Sequence, residues 1–286
     1  GMRVILSRVD AMIRSHQLRR TRQGLAVVAG VALLLAACGS DEPSSSSGSA
    51  TPTASGTPVV VATTSIWADI TAHVACDGLA DVRTIIPPGG DPHSFEPSLR
   101  DRETMDNADL IVANGLALEE SLEDTIDAVE SGGVPVLHVG DGLDPIPTAA
   151  ASHDDDDHEG DDDAAHDDDH DHGDEDPHVW WDPTRIAAAV PVIATALADA
   201  GVDRDALDDC AASYIDQLTT LDYDIDALVD PLTDDQRILV TNHDSLGYFA
   251  DRYDFEVLGT VIPSSSSLAA TSPAELDALA ADIEAT

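Results

Sequence analysis

Short apolar runs of strand length alternate with amphipathic stretches from residue 59 onward, and this alternation constrains the fold more than any other feature. Strands are predicted at Val59–Thr64, 82–86, Leu110–Ala113 and 134–139, with helices at 65–76, 98–107 and 118–130. Strands that alternate with helices form parallel sheets, because each return connection crosses the sheet as a helix. Aromatic residues make up only 3% of the chain, so Ala, Val, Leu and Ile must build the core. The predicted class is α/β.

The second half of the chain predicts a second lobe. Helices are expected at 183–200, where Pro191 can introduce a kink, and at 205–228. Strands at 237–241 and Glu256–Ile262 flank a short helix at 246–252, and a capping box at Ser272 and Glu275 begins a last helix. We therefore divide the folded part into an N-terminal lobe (58–200), a connecting helix (201–230) and a C-terminal lobe (231–286). Because the last helix is still running at Thr286, we expect the C-terminal lobe to be truncated.

The first 57 residues have the pattern of an exported lipoprotein. Six arginines precede an apolar run at 24–37, which is too short to span a membrane and is typical of a signal peptide. The run ends in Leu35-Ala-Ala-Cys38, which resembles the bacterial lipobox. We expect residues 1–37 to be removed, Cys38 to carry the lipid anchor on the outer face of the cell membrane, and residues 38–57, rich in Ser, Thr, Gly and Pro, to form a flexible tether.

The charge of the chain favours cations as partners. The formal net charge is -43 and every basic residue is Arg. A surface this acidic excludes nucleic-acid binding as the main function. Solubility or a saline habitat could also account for much of the charge.

Residues 151–177 form a predicted loop of Asp, Glu and His. It lacks apolar residues large enough to fold, so we expect it to be disordered. Its histidines stand among carboxylates and suit loose scavenging of transition metals: His153, His158, His166, His170 and His172. The alternative is a merely solvated acidic run, and in either case a tight site must lie elsewhere.

Three further histidines lie in loops or next to predicted strands. His93 is in Pro-Gly-Gly-Asp-Pro-His, His178 in Asp-Pro-His-Val-Trp-Trp-Asp-Pro, and His243 in Thr-Asn-His-Asp-Ser-Leu-Gly-Tyr-Phe. Ligands of α/β proteins bind at the carboxyl ends of the strands, and three imidazoles leave one position of a tetrahedral zinc site open. Each histidine taken alone would more often be a surface or capping residue.

Together these three motifs resemble the cluster A-I solute-binding proteins of zinc and manganese ABC importers, from about residue 59 to the end. The resemblance implies two α/β lobes joined by one long rigid helix, with the metal in the cleft between the lobes. It implies His93, His178 and His243 as ligands, and a fourth, acidic ligand beyond Thr286. It also implies a permease with its ATPase as partners. A tethered receptor of this kind has no need to self-associate, so we expect a monomer.

Zn²⁺ is the expected cargo, because three nitrogen donors suit a borderline metal, whereas Mn²⁺ prefers more oxygen. Manganese or iron(II) remains the alternative within the same family. Glu96, Asp91 and Asp244 are possible oxygen ligands, although each could equally support a neighbouring loop or imidazole. We expect Trp180, Trp181 and Tyr248 to pack the cleft walls and Asn242 to support its loop by hydrogen bonding.

Two cysteines remain after Cys38, and in an exported chain Cys76 and Cys210 are candidates for a disulfide, with two buried thiols as the alternative.

Two other classes of function stay open. A zinc hydrolase with Glu96 as base would use the same histidines, but the chain has no H-E-x-x-H motif. An envelope adhesin or metal buffer would need only the tether and the loop. We predict no enzymatic activity.

Overall fold

A computed structural model describes residues 56–148 and 175–286, and the elements of its first sheet follow the predicted alternation. Strands β1 (Val59–Thr64), β2 (Asp81–Ile86), β3 (Leu110–Ala113) and β4 (Val136–His138) pair in parallel in the order β2-β1-β3-β4. Helices α1 (Ser65–Val74), α2 (Leu99–Asp106) and α3 (Glu123–Ser131) connect them. The α/β class with a parallel sheet is confirmed.

Each face of this sheet is covered by a different set of helices. Successive strand residues point to opposite faces, so Val60 and Val112 enter one core and Val61 and Ile111 the other. The first core contains the buried face of α1 and the two helices that follow residue 175, and the second contains α2 and α3. Both faces are therefore buried, which explains why β1 and β3 read as continuous apolar runs.

Helix α1 ends two residues earlier than predicted. Cys76 and Asp77 both have positive φ angles, 49° and 55°, which are incompatible with a continuing right-handed helix. Cys76 forms a disulfide with Cys210, 134 residues later in the sequence. The bridge ties the end of α1 to the long helix of the second half.

That long helix, α5 (Arg204–Val229), packs against α4 (Pro183–Asp199). Its first part is buried, with Leu207 and Leu218 in the core, while Tyr223 is 69% exposed. The C-terminal part of the helix contacts the second half of the chain instead, because Asp222 pairs with Arg252 and the carbonyl of Val229 accepts from Arg237.

The second sheet contains β5 (Ile238–His243) and β6 (Glu256–Ile262), which are parallel and joined through α6 (Gly247–Tyr253). Helix α7 (Pro273–Ala285) follows, and Ser272 and Glu275 form the predicted capping box. Within the described ranges, no helix combines the length and the apolarity that a membrane span requires.

Candidate metal centre

His93 reaches the site through a turn that glycine makes possible. The turn follows β2, and Gly89 has a φ of +82°, which side-chain-bearing residues rarely adopt. Asp91 then accepts a hydrogen bond from the backbone N–H of His93 at 3.1 Å, and the hydroxyl of Ser121 donates to the His93 carbonyl at 2.9 Å. These contacts hold the ring of His93 inside the protein, where the residue is only 2% exposed.

His178 comes from the segment that leads into α4. A short 3₁₀ turn, Val179–Trp181, separates it from Asp182, which caps the helix by accepting from the Thr184 N–H. Asp176 contacts His178 twice, accepting from its backbone N–H at 2.9 Å and facing its Nδ1 at 2.7 Å. Both side chains are buried, so this pair is fixed in position.

His243 is the last residue of β5 and comes from the second sheet. Its Nδ1 lies 3.2 Å from Oδ1 of Asn242, and the hydroxyl of Thr241 donates to its carbonyl at 2.7 Å. Asn242 thus contacts the ring of His243, and the sequence predicted that this residue supports its loop by hydrogen bonding.

The three imidazoles converge on one point. One ligand atom from each of His93, His178 and His243 lies within 4.8 Å of the other two. Nε2 of His178 and Nε2 of His243 are 3.3 Å apart. On the opposite side of each ring, Nδ1 faces an oxygen atom. For His93 this atom is Oε1 of Glu120, at 3.1 Å.

This arrangement determines where the protons are. An Nδ1 that faces an oxygen acceptor carries the proton, so Nε2 is left with a lone pair. Two such lone pairs face each other between His178 and His243, and Nε2 of His93 is buried with no hydrogen-bond partner among the described residues. A cation at the point of convergence would satisfy all three atoms.

Burial keeps the imidazoles of His93 and His243 neutral. Burial, followed by the proximity of His178 and His93, lowers the pKa of His243 to about 4. Burial and the nearby His178 also lower the pKa of His93, against the opposing effect of Glu120. Neutral imidazole is the form that binds metal ions, so near pH 7 neither ring has to release a proton before its Nε2 binds a metal.

One separation between candidate ligand atoms fits a first-row metal with nitrogen ligands. In a tetrahedral site with Zn–N bonds of about 2.0–2.1 Å, neighbouring ligand atoms stand roughly 3.3–3.4 Å apart. The separation of 3.3 Å between His178 and His243 matches that edge.

The acidic candidates near the histidines differ in exposure and in the contacts they make. Burial alone would raise the pKa of Asp91, but hydrogen bonds from the Ser267 hydroxyl and the His93 backbone outweigh it and lower that pKa. Glu96 is exposed and does not cap α2; Asp101 pairs with Ser98 in that capping box instead. The backbone N–H of Asp244 donates to the Ser264 carbonyl.

A buried polar network lies behind the histidines. The carboxyl group of Glu119 accepts from the Thr63 hydroxyl at 2.5 Å and from the Asn114 N–H at 2.8 Å. The side chain of Asn114 donates to the Pro177 carbonyl, next to His178, and accepts from the indole of Trp67. The network therefore joins the ends of β1 and β3 to the segment that carries His178.

The sequence did not assign Glu119, Glu120 or Asp176 a role. The predicted helix at 118–130 hid the first two, whereas Leu116 and Ala117 have positive φ and a 3₁₀ turn, Glu120–Leu122, comes before α3. Only the Asp-x-His spacing at Asp176 offered a local signal.

The aromatic residues differ in their positions. The ring of Trp180 lies edge-on to that of His178, with centroids 5.2 Å apart, whereas Trp181 is 43% exposed. Tyr248 is buried and its hydroxyl makes hydrogen bonds, so it does more than pack a wall. Cys38 and the five loop histidines from His153 to His172 lie outside the described residues.

A family profile, a relative and a solved structure relate this chain to proteins that are named for zinc. The profile of a family described as ZnuA, the periplasmic component A of the zinc-uptake complex, matches residues 60–286. The zinc-binding protein TroA of Treponema pallidum is 30% identical over 222 residues, which are 77% of this chain and 65% of TroA. The solved structure of TroA superimposes with a TM-score of 0.67 at 27% identity, covering 80% of this chain and 74% of the TroA chain.

Other relatives are named for other metals. The iron ABC transporter substrate-binding lipoprotein MtsA of Streptococcus pyogenes is 29% identical over 200 residues, 68% of this chain and 58% of MtsA. The manganese-binding lipoprotein MntA of Halalkalibacterium halodurans is 26% identical over 235 residues, 82% of this chain and 68% of MntA. The chain thus spans 65% of TroA and 58% of MtsA, the first two of these relatives.

Proposed function

The chain belongs to the family of the periplasmic zinc-uptake component A, and on that basis we propose that it captures Zn²⁺ outside the cytoplasm and delivers it to an ABC-type permease with its ATPase. The ligands are His93, His178 and His243. The ion is cargo, and no bond is made or broken in it.

One observation carries the proposal. Three imidazoles, each with Nδ1 against an oxygen atom, direct their other ring nitrogen at a common point, and Nε2 of His93 is buried without a partner among the described residues. Such a set is costly to bury unless something accepts the lone pairs. A set of three nitrogen donors favours zinc over manganese, which prefers more oxygen ligands.

The names of the relatives do not decide between the metals, because they include zinc, iron and manganese. Manganese is therefore the second candidate, supported by the similarity to MntA. MtsA is named as the substrate-binding lipoprotein of an ABC transporter, and TroA and MntA are named as metal-binding proteins, which favours transport over a zinc hydrolase. Glu96, the suggested base of that hydrolase, is exposed.

Anchoring through Cys38 completes the proposal. MtsA and MntA are named as lipoproteins, which supports the lipobox and a location on the outer face of the cell membrane. We retain residues 38–57 as a tether, the His-rich loop as an auxiliary scavenger of metal, and a monomer as the working state. An envelope adhesin or metal buffer would share the tether and the loop but would not need the buried site.

Titration calorimetry with Zn²⁺ and Mn²⁺ tests the proposal. Three proteins are compared: the full chain, a variant lacking residues 153–174, and the triple variant His93→Ala, His178→Ala, His243→Ala. The deletion stops at 174 because Asp176 holds His178. We expect one tight zinc site that survives the deletion, disappears in the triple variant and binds Mn²⁺ more weakly. Tight binding that follows the loop would make the protein a metal buffer.

A further inference from the structure

A buried tyrosine links the two parts of the protein that supply the metal ligands. Tyr248 lies on α6, five residues after His243 in the sequence, and is only 1% exposed. Its hydroxyl donates to the backbone carbonyl of Asp176 at 2.6 Å and accepts from the backbone N–H of Ile146 at 3.2 Å. Both bonded groups belong to segments that follow the first sheet, while Tyr248 itself follows β5 of the second.

One of the two bonded groups belongs to a residue that contacts a candidate metal ligand. Asp176 is the residue whose carboxylate faces Nδ1 of His178 at 2.7 Å. Its own N–H donates to the carbonyl of Ile146 at 2.8 Å, and Pro147 pairs with Glu175 in an antiparallel bridge. We call this pairing of residues 146–147 with 175–176 the Asp176–Ile146 junction. The hydroxyl of Tyr248 bonds to both of its strands, and one of them carries Asp176, which orients the candidate ligand His178.

The first residue of the same helix shows how closely the helix approaches this junction. A Cβ atom placed on Gly247 would lie 2.7 Å from Oδ2 of Asp176 and 3.2 Å from Cδ1 of Ile146. Glycine is thus required for the contact, independently of the hydrogen bonds of Tyr248.

The tyrosine is itself held in place. The guanidinium group of Arg185 lies over its ring, 4.8 Å from the centroid, and also donates to the carbonyls of Leu143 and Asp144. Burial raises the pKa of Tyr248 to about 12, so the hydroxyl keeps its proton and its role as donor at physiological pH.

We propose that Tyr248 is a positioning residue for metal binding, whose hydroxyl sets His243 against His178 by fixing α6 on the Asp176–Ile146 junction. The proposal rests on the proposed function, because it assumes that these histidines bind the metal. The Nε2 atoms of His178 and His243 come from different sheets and must meet at 3.3 Å. A shift of a few tenths of an ångström between the two sheets would change that distance directly.

The test is Tyr248→Phe in the full chain, with Tyr253→Phe as the matched control. Tyr253 is on the same helix, is 3% exposed and donates to Asp222 at 3.0 Å, so the control also loses a buried hydroxyl. We expect Tyr248→Phe to weaken zinc binding at least tenfold, the range seen when groups that orient metal ligands are removed. Tyr253→Phe should stay within twofold of the unmodified protein.

A spectroscopic measurement separates positioning from general weakening. The visible absorption of bound Co²⁺ reports ligand geometry, and we expect it to change in Tyr248→Phe but not in Tyr253→Phe. Gly247→Ala keeps the hydroxyl, but its Cβ would displace the helix or the carboxylate of Asp176, so it should alter affinity and spectrum in the same direction. If Tyr248→Phe fails to fold, an unchanged Gly247→Ala overturns the inference.

Unchanged affinity and an unchanged Co²⁺ spectrum in Tyr248→Phe would overturn the inference. If that variant does not fold, the same result in Gly247→Ala would overturn it. An equal loss of affinity in Tyr253→Phe would overturn it as well. An unmodified chain without a tight zinc site would instead overturn the proposed function, so the two failures are distinguishable.

Discussion

Each candidate ligand depends on an oxygen atom behind its ring. Glu120 faces His93, Asp176 faces His178 and Asn242 faces His243, always at Nδ1. An acceptor at Nδ1 fixes both the tautomer and the orientation of the ring, so that Nε2 points at the place where the three rings converge. The metal affinity that we propose for this site therefore depends also on residues that would not touch the ion.

Replacing Glu120 by Ala tests this dependence at His93. The variant removes the only carboxylate within hydrogen-bonding distance of Nδ1 of His93 in the described residues. We expect zinc affinity to fall about 10- to 100-fold. The exposed Glu123→Ala is the control, because it removes the same charge three residues away. Equal affinities of the two variants in calorimetry would contradict the assigned role.

Glu119 predicts a pH dependence of stability. Burial raises its pKa above the ordinary value, so the folded protein holds this proton more tightly than the unfolded chain does. The stabilisation is fully present below the unfolded value of 4.5 and is lost as the pH rises through the folded value.

Glu119→Gln should remove this loss. In metal-free thermal unfolding we expect the melting temperature of the variant, relative to the unmodified chain, to increase as the pH rises above 4.5. The exposed Glu130→Gln serves as the control and should show a constant difference. A constant difference for Glu119→Gln as well would refute the prediction.

At the scale of elements, the sequence predicted the helices and strands well but not how the strands are ordered. Runs such as Leu110–Ala113 have a clear pattern, so their strands lie where expected. The order β2-β1-β3-β4 depends on packing across the whole sheet, and it is this order that brings the loop after β3, with Glu120, to His93. Contacts of this kind have no local signature, which is why the sequence indicated the three candidate ligands and Asn242 but missed Glu120 and Asp176.

The disulfide between Cys76 and Cys210 makes a prediction at this scale. It ties α1 to α5 and closes a long stretch of chain, 134 residues in sequence. Replacing both cysteines by Ser should lower the free energy of unfolding by about 2–5 kcal/mol. Urea unfolding of the metal-free protein measures the loss.

Zinc affinity of the folded double variant should remain within twofold, because neither cysteine contacts the site. A loss of stability below about 1 kcal/mol would show that α1 and α5 hold together without the bridge.

In the whole molecule, the metal site depends on two sheets meeting. His93 and His178 belong to the part built on the first sheet, and His243 ends a strand of the second. The similarity to the cluster A-I proteins, drawn from three short motifs, is confirmed by the family profile over residues 60–286. The sequence could indicate the three ligands because they lie in recognisable motifs. The distance between them follows from the packing of α4, α5 and α6, which no short motif encodes.

The measurement that tests the central claim most directly is zinc K-edge X-ray absorption on the protein loaded with one equivalent of Zn²⁺, in the variant that lacks residues 153–174. Removing those residues excludes the loop histidines as ligands. The account predicts three imidazole nitrogens at about 2.0–2.1 Å from the metal, and loss of this signal in the same variant with His93, His178 and His243 changed to Ala. A first shell made of oxygen atoms, or an imidazole signal that persists without these three histidines, would contradict it.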